Sequence, residues 1–184
     1  MTQTRRKIIG VIGSHSDAWP DYARPLGALI ARRGHHLLTG CGGGVMLEVS
    51  RAFHEHPDCK GEVIGIHPVA NIHEAQTQHD ESENHFVTIP IFTQLPAKAQ
   101  SDTMPYSLNY VNVLSSDALI ALPGAHGTKN EVSLALMCNK PLLLFGPEGT
   151  FRDFPDDTVC TNFIQEVDQF LLRVLSHAHG APVL

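Results

Sequence analysis

The 184-residue chain lacks an apolar stretch long enough to span a bilayer, has no Cys-x-x-Cys pair and carries no surplus of basic charge. A spanning helix needs about 20 consecutive apolar residues, and the apolar runs here are short and broken by glycine or proline. The opening Met-Thr-Gln-Thr-Arg-Arg-Lys is basic, but only Ile8 to Ile12 follow it, interrupted by Gly10. That segment reads as a first strand in preference to a signal peptide. The four cysteines (Cys41, Cys59, Cys138, Cys160) are widely spaced, which points to reduced thiols in a cytoplasmic protein and not to a disulfide frame. A formal net charge of -6 argues against broad nucleic-acid binding, which needs a concentrated basic surface. Histidine is abundant, with 12 copies, yet His67, His73, His79 and His85 fall around Asp80, Glu81 and Glu83 without the short spacing of a metal motif. The polar stretch that they flank or occupy, Val69 to Asn84, reads as a long, exposed, solvated loop.

What is present is an ordinary globular composition, 42% hydrophobic and 17% charged, enough for one domain over residues 1–184 with its own core. Apolar, β-rich runs alternate with amphipathic segments. Strands are expected at Lys7 to Gly13, His36 to Thr39, Glu62 to His67 (ended by Pro68), His85 to Pro90, Asp117 to Leu122 and Pro141 to Phe145. Helices are expected at Asp17 to Arg33 (stopped by Gly34), Val45 to His56, Tyr106 to Ser115 (Pro105 suits its start), Thr128 to Asn139 and Thr161 to Ser176. Gly146 to Thr158 reads as a Pro- and Asp-rich connection. This alternation predicts an α/β fold: a Rossmann-like, doubly wound parallel sheet with helices on both faces. Ligands of such sheets sit at the carboxyl ends of the strands, near the switch in strand order.

Three glycine-bearing turns follow strands and are therefore expected at that edge: Gly13-Ser14-His15, Gly40 to Gly44 before Val45, and Gly124 to Gly127. The second turn reads Gly-Cys-Gly-Gly-Gly, which is neither the dinucleotide fingerprint nor a P-loop. Four glycines in five residues exceed what a tight turn needs, and bare backbone lets N–H groups approach an anion at a helix start. Binding of a negatively charged ligand is favoured over a purely structural turn. In the third turn, Pro123-Gly124-Ala125-His126-Gly127-Thr128-Lys129-Asn130-Glu131, the Gly127 and Thr128 amides and the Thr128 hydroxyl can hold phosphate oxygens. Glu131 falls on the first turn of the following helix. There it either closes a capping box with Thr128 or contacts a ribose or heterocycle. His15 and His126 either donate to the anion or complete their turns, and Cys41 is read as a space-filler in preference to a reactive thiolate.

These motifs resemble the family of the cytokinin-activating Lonely-guy (LOG) enzymes, once described as lysine decarboxylases, and the related molybdenum cofactor carrier proteins. The LOG motif Pro-Gly-Gly-x-Gly-Thr-x-x-Glu is matched from Pro123 to Glu131, with Ala125 in place of the second glycine. The opening Ile-Gly-Val-Ile-Gly-Ser, the Gly40 to Gly44 loop with Val45-Met46, and Leu114 to Gly146 extend the likeness over nearly the whole chain. The resemblance implies a homodimer or higher homo-oligomer that pairs through helices next to the site.

One departure bears on activity. The family's hydrolases carry an arginine that acts with the motif glutamate to cleave nucleoside 5′-monophosphates. The matching place, Tyr106-Ser107-Leu108-Asn109-Tyr110, holds none, and Leu108 is its counterpart. An apolar side chain cannot stabilise charge developing at the ribose and phosphate, although Arg51 or Lys129 is a candidate to reach the same space. The expected function is therefore a non-catalytic carrier of a phosphorylated heterocycle, the molybdenum cofactor or its pterin, serving molybdenum enzymes or the cofactor insertion machinery. The expected ligand residues are Gly13, Ser14, His15, Gly40, Gly42, Gly43, Gly44, Val45, Asn109, Asn112, Gly124, His126, Gly127, Thr128 and Glu131. Asn109 and Asn112 offer neutral donors and acceptors to a pterin or base edge, or simply cap and face solvent. The alternatives are a LOG-type phosphoribohydrolase using Glu131 on a nucleoside monophosphate, and a nucleotide-sensing module.

Overall fold

The computed structural model describes residues 5–71, 73, 77, 82–95 and 107–176. Its strands are β1 (Ile8–Ile12), β2 (His36–Thr39), β3 (Val63–Pro68), β4 (Ile89–Thr93), β5 (Ala118–Ala121), β6 (Leu142–Phe145) and β7 (Cys160–Thr161). They form one seven-stranded sheet in the order β4-β3-β2-β1-β5-β6-β7, and every pairing is parallel. Five helices are described: α1 (Pro20–Arg32), α2 (Gly44–His54), α3 (Leu108–Ser115), α4 (His126–Met137) and α5 (Ile164–Ser176).

The central strands are apolar on both faces because both are covered. Ile9, Val11, Leu37, Ala118 and Ile120 pack with Leu26 and Ile30 of α1, Val49 and Phe53 of α2, and Phe170 and Leu171 of α5. The alternate residues Ile12, Leu119 and Ala121 pack with Val113 of α3 and Val132 and Ala135 of α4. A period-2 strand sends successive side chains to opposite faces, so this division places α1, α2 and α5 on one side and α3 and α4 on the other. The chain leaves β1 toward β2 on one side and returns to β5 on the other. The crevice of this doubly wound sheet therefore opens above the carboxyl ends of β1 and β5.

Local chemistry sets several boundaries. Gly34, at φ +70°, follows the end of α1, and Ser107 caps α3 by accepting from the Tyr110 N–H at 3.3 Å. Pro105 and Tyr106, expected at that helix start, lie outside the described residues, as do His79, Asp80 and Glu81 of the polar stretch. Pro68 does not end β3 but is its last residue, paired with Thr93. The fourth strand begins at Ile89 and not at His85. Asn84 is fully buried and its amide donates to the Met46 carbonyl and the Ser50 hydroxyl of α2. That anchor holds His85 and Phe86 in a turn, and it also makes the end of the expected loop buried where exposure was expected. β7 was missed altogether: two residues are too few to show a period. α5 accordingly starts at Ile164, not Thr161.

Helices α1 and α2 approach closely at Gly27, where an added Cβ would stand 2.4 Å from the Val49 carbonyl oxygen of α2. Backbone cannot swing aside as a side-chain tip can. Gly27→Ala is expected to cost about 1–3 kcal/mol, in the range of core overpacking. Urea unfolding should show a lower midpoint with an unchanged slope.

Candidate functional site

Three turns meet at one residue, Ser14. The Ser14 N–H donates to the Pro123 carbonyl at 3.1 Å, and the Ser14 carbonyl accepts from the Val45 N–H at 2.9 Å. The turn after β1 is thus bonded both to the turn after β5 and to the start of α2. The Ser14 hydroxyl turns back on its own loop, accepting from the Asp17 and Ser16 amides at 3.0 and 3.3 Å and donating to the Asp17 carboxylate.

Above this junction lies a cavity of about 490 Å³. Of the expected residues, Gly13, Ser14, His15, Gly40, Asn109, Asn112, Gly127, Thr128 and Glu131 line it. Ser16, Met46, Leu108 and Ala125 line it as well. Of these, Leu108 had been singled out only as the counterpart of an arginine. Met46 carried a signal that went unused, since it sits in the first turn of α2 directly after the glycine loop.

Gly42, Gly43, Gly44, Val45, Gly124 and His126 are not among the lining residues, and their geometry says why. A Cβ on Gly42 would stand 2.5 Å from the His15 ring, and one on Gly43 would stand 2.1 Å from the Glu83 carboxylate. Gly44 has φ +54° and would press a Cβ to 2.4 Å from the Ser14 carbonyl oxygen. Gly124 lies under the Thr128 hydroxyl. Most of the glycine loop's bareness is therefore taken up by loops docking on each other. Val45 is fully buried in the core and its amide is the one held by Ser14. His126 is exposed at the first position of α4.

The start of α4 faces the cavity directly. Its N-cap, Ala125, makes no side-chain cap, and the first turn holds no acidic residue. The Lys129 N–H to Ala125 carbonyl bond, 3.1 Å, opens the helical ladder, so the Gly127 and Thr128 N–H groups precede it. Such amides attract an anion, helped by the helix dipole. A Cβ on Gly127 would meet nothing within 4 Å: this is the open side of the helix start.

Glu131 stands on the second turn of α4, because the helix begins at His126. The capping box with Thr128 is accordingly not made. Its Oε1 instead accepts from Asn112 Nδ2 of α3 at 3.3 Å. Burial pushes the Glu131 carboxyl up to about 8, against the weaker opposing pull of the Asn112 bond. The group is therefore a neutral acid at pH 7. Asn112 is 2% exposed, and its Oδ1 has no hydrogen-bond partner. A buried acceptor left unpaired costs about 1–3 kcal/mol. Asn109 donates to Asn130 Oδ1 at 3.0 Å, tying α3 to α4.

Among the described residues that line the cavity there is no lysine or arginine. Arg51 pairs with Glu48, and Lys129 reaches Asp153 at 3.4 Å, 5.7 Å above the Phe154 ring. Neither supplies the missing cation. Leu108, 7% exposed, forms the wall at the start of α3. Cys41 is buried against Gly65, and desolvation pushes its thiol far up, so it stays neutral. Among the described residues no group of three or more His, Cys, Asp or Glu is placed to hold a metal, and no helix is long and apolar enough to cross a membrane.

Fold and site together define a doubly wound α/β protein with a cleft at its topological switch, walled largely by bare backbone and neutral polar groups. The chain belongs to the SLOG cluster4 family, whose model matches residues 6–173. An uncharacterized protein of Archaeoglobus fulgidus is 32% identical over 141 residues, 76% of this chain and 80% of its own length. Two solved structures are similar over 94% of this chain and 99% of theirs, each at TM-score 0.70. They are the molybdenum cofactor carrier protein of Chlamydomonas reinhardtii, 28% identical, and the molybdenum cofactor binding protein of Rippkaea orientalis, 29% identical.

The raised Glu131 carboxyl makes stability pH-dependent in a stated direction. Unfolded, the group titrates near 4.5; folded, near 8. The native state holds the extra proton between those values, so the contribution is complete below pH 4.5 and is lost as pH rises toward 8. Glu131→Gln removes this slope. Wild type should lose about 1.4 kcal/mol per pH unit relative to the variant across that window, measured by urea unfolding from pH 5 to 9. Parallel curves would mean the carboxyl is ionised throughout.

Proposed function

We propose that the protein is a non-catalytic carrier that binds a phosphorylated heterocycle, the molybdenum cofactor or its pterin, and delivers it to molybdenum enzymes or their insertion machinery. The observation that carries this reading is the composition of the cleft. It offers backbone amides at an uncapped helix start, neutral amides and an uncharged acid, with Leu108 where the family's hydrolases hold arginine. Its volume of about 490 Å³ suits a small organic ligand. The phosphate or oxyanion lies against Gly127, Thr128 and the Gly40 turn. The ring system lies along Ser14, Asn109, Asn112 and Glu131. Similarity to a molybdenum cofactor carrier protein and a molybdenum cofactor binding protein, at 28% and 29% identity over most of the chain, supports this choice of ligand. A carrier supplies affinity and exclusion of water and has no bond-making step to accelerate. In this reading it works in the cytoplasm as a homodimer or larger assembly. Pairing beside the site would cover Leu114 of α3 and Met137 of α4, which are 45% and 58% exposed.

A second reading has one observation in its favour. Glu131, neutral near pH 7, is in the state of a general acid able to protonate a departing base, as a phosphoribohydrolase requires. Among the described lining residues, however, none is the arginine that the family's hydrolases pair with the motif glutamate.

Incubation with molybdopterin is expected to give a complex that survives gel filtration and oxidises more slowly than the free cofactor. Gly127→Val should keep the melting temperature, since its Cβ enters open space, and lower retention by roughly tenfold or more, about 1.4 kcal/mol. Release of free base from adenosine monophosphate or cytokinin ribotides, abolished by Glu131→Gln, would overturn the carrier reading.

A further inference from the structure

The cleft contains two groups whose hydrogen-bonding capacity is not met by the protein. Asn112 Oδ1 is an acceptor without a donor, on a side chain that is 2% exposed and forms part of the cavity wall. Glu131 Oε1 already accepts from Asn112 Nδ2. Among the described residues the buried carboxyl makes no other hydrogen bond, and a protonated carboxyl has an O–H to donate. The two side chains come from different helices, α3 and α4, and meet at one wall. One needs an N–H from outside; the other supplies a proton to an acceptor.

Resting on the ligand class proposed above, we propose that Asn112 and Glu131 together read a lactam edge, an N–H beside a carbonyl, on the ring of the bound heterocycle. The N–H of the lactam donates to Asn112 Oδ1 and the carbonyl accepts from the Glu131 O–H. Oxopurines and pterins share this edge. A ring that presents acceptors alone leaves Asn112 Oδ1 unpaired and forfeits affinity, which is how a buried polar wall rejects a near-isostere. The anion seat at Gly127 and Thr128 recognises the phosphate of either ring. The Asn112–Glu131 wall is what selects the heterocycle.

Titration calorimetry with matched probes tests this. Inosine 5′-monophosphate carries the lactam edge. N1-methylinosine 5′-monophosphate lacks the N–H, and purine riboside 5′-monophosphate lacks it without added bulk. Ribose 5-phosphate tests the anion seat alone. The expected result is competition by ribose 5-phosphate, with inosine 5′-monophosphate bound roughly tenfold or more tighter than both analogues. Asn112→Leu should erase that ratio while ribose 5-phosphate still competes. Equal binding of the three nucleotides, with ribose 5-phosphate competing, overturns the lactam edge and leaves the carrier reading intact. Failure of every phosphorylated probe, ribose 5-phosphate included, overturns the anion seat and the edge with it. A pterin arm, 6-hydroxymethylpterin phosphate, identifies the source: tighter binding of the pterin or of the oxopurine upholds the edge in either case.

A pH series supplies a readout that a purely structural role for Glu131 would not move. Affinity of the wild type for inosine 5′-monophosphate, relative to Glu131→Gln, should fall by up to about tenfold per unit as pH rises past 8. The ligand's own ionisation enters both titrations and cancels in the ratio. His15, the other titratable side chain lining the cavity, is present in both proteins. Asn109 and Asn112 of α3 and Thr128 of α4 carry no charge, and Lys129 points to Asp153. A ratio constant from pH 6 to 9 overturns the role assigned to the Glu131 proton.

Discussion

The site depends on the Ser14 backbone. Its N–H bonds the Pro123 carbonyl and its carbonyl bonds the Val45 N–H, so one residue fixes the turns after β1 and β5 and the start of α2 relative to each other. The sheet brings these turns to the same edge, but only to within the latitude that loops allow. The Ser14 bonds remove that latitude. Gly44 and Gly124 must lack side chains for the junction to close, because a Cβ on either would fall within 3 Å of the Ser14 backbone. Gly42 must be bare for His15 to pack over it. The glycines are thus chiefly the means by which three loops touch.

The fold was legible where burial is two-sided. Ile8–Ile12, broken only by Gly10, the Leu37-Leu38 pair and Ala118–Ala121 are apolar because helices cover both faces of the sheet, and a run of that kind declares itself without knowledge of its neighbours. The misplaced fourth strand had a non-local cause. Asn84 is held by α2, more than 30 residues earlier in the chain, and a polar residue within a polar stretch gives no sign that it will be buried. At the site, the convergence of turns could be read from strand order, whereas the division of labour among glycines could not. The Gly40 to Gly44 sequence announces bare backbone but not what approaches it. Glu131 was equally opaque: its spacing from Thr128 suggested a cap, while its neutral state is set by burial, against the pull of the bond from Asn112 of α3.

The cleft is also where the protein gives up stability. An unpaired amide oxygen and a carboxylic acid in a desolvated wall both weigh against folding at neutral to alkaline pH, each by a few kcal/mol at most. Nothing in the core requires them, because apolar residues of similar size would pack there without a polar demand. Local rules are usually broken where a ligand restores the balance. Asn112 and Glu131 break two of them side by side, on helices already joined by the Asn109–Asn130 bond. The pairing is therefore rigid as well as unsatisfied, which is the condition for selecting one ring edge over another.

A wall without lysine or arginine among its described lining residues also changes how a ligand would be held. An arginine against a phosphate contributes a full charge, strong in a dry site. The start of α4 contributes roughly half a charge, spread over amides that are fixed before a ligand arrives. An anion there would be held less strongly. That difference lies with Leu108 at the start of α3 and not with Glu131, because the acid serves both the carrier and the hydrolase readings and the arginine serves only the second.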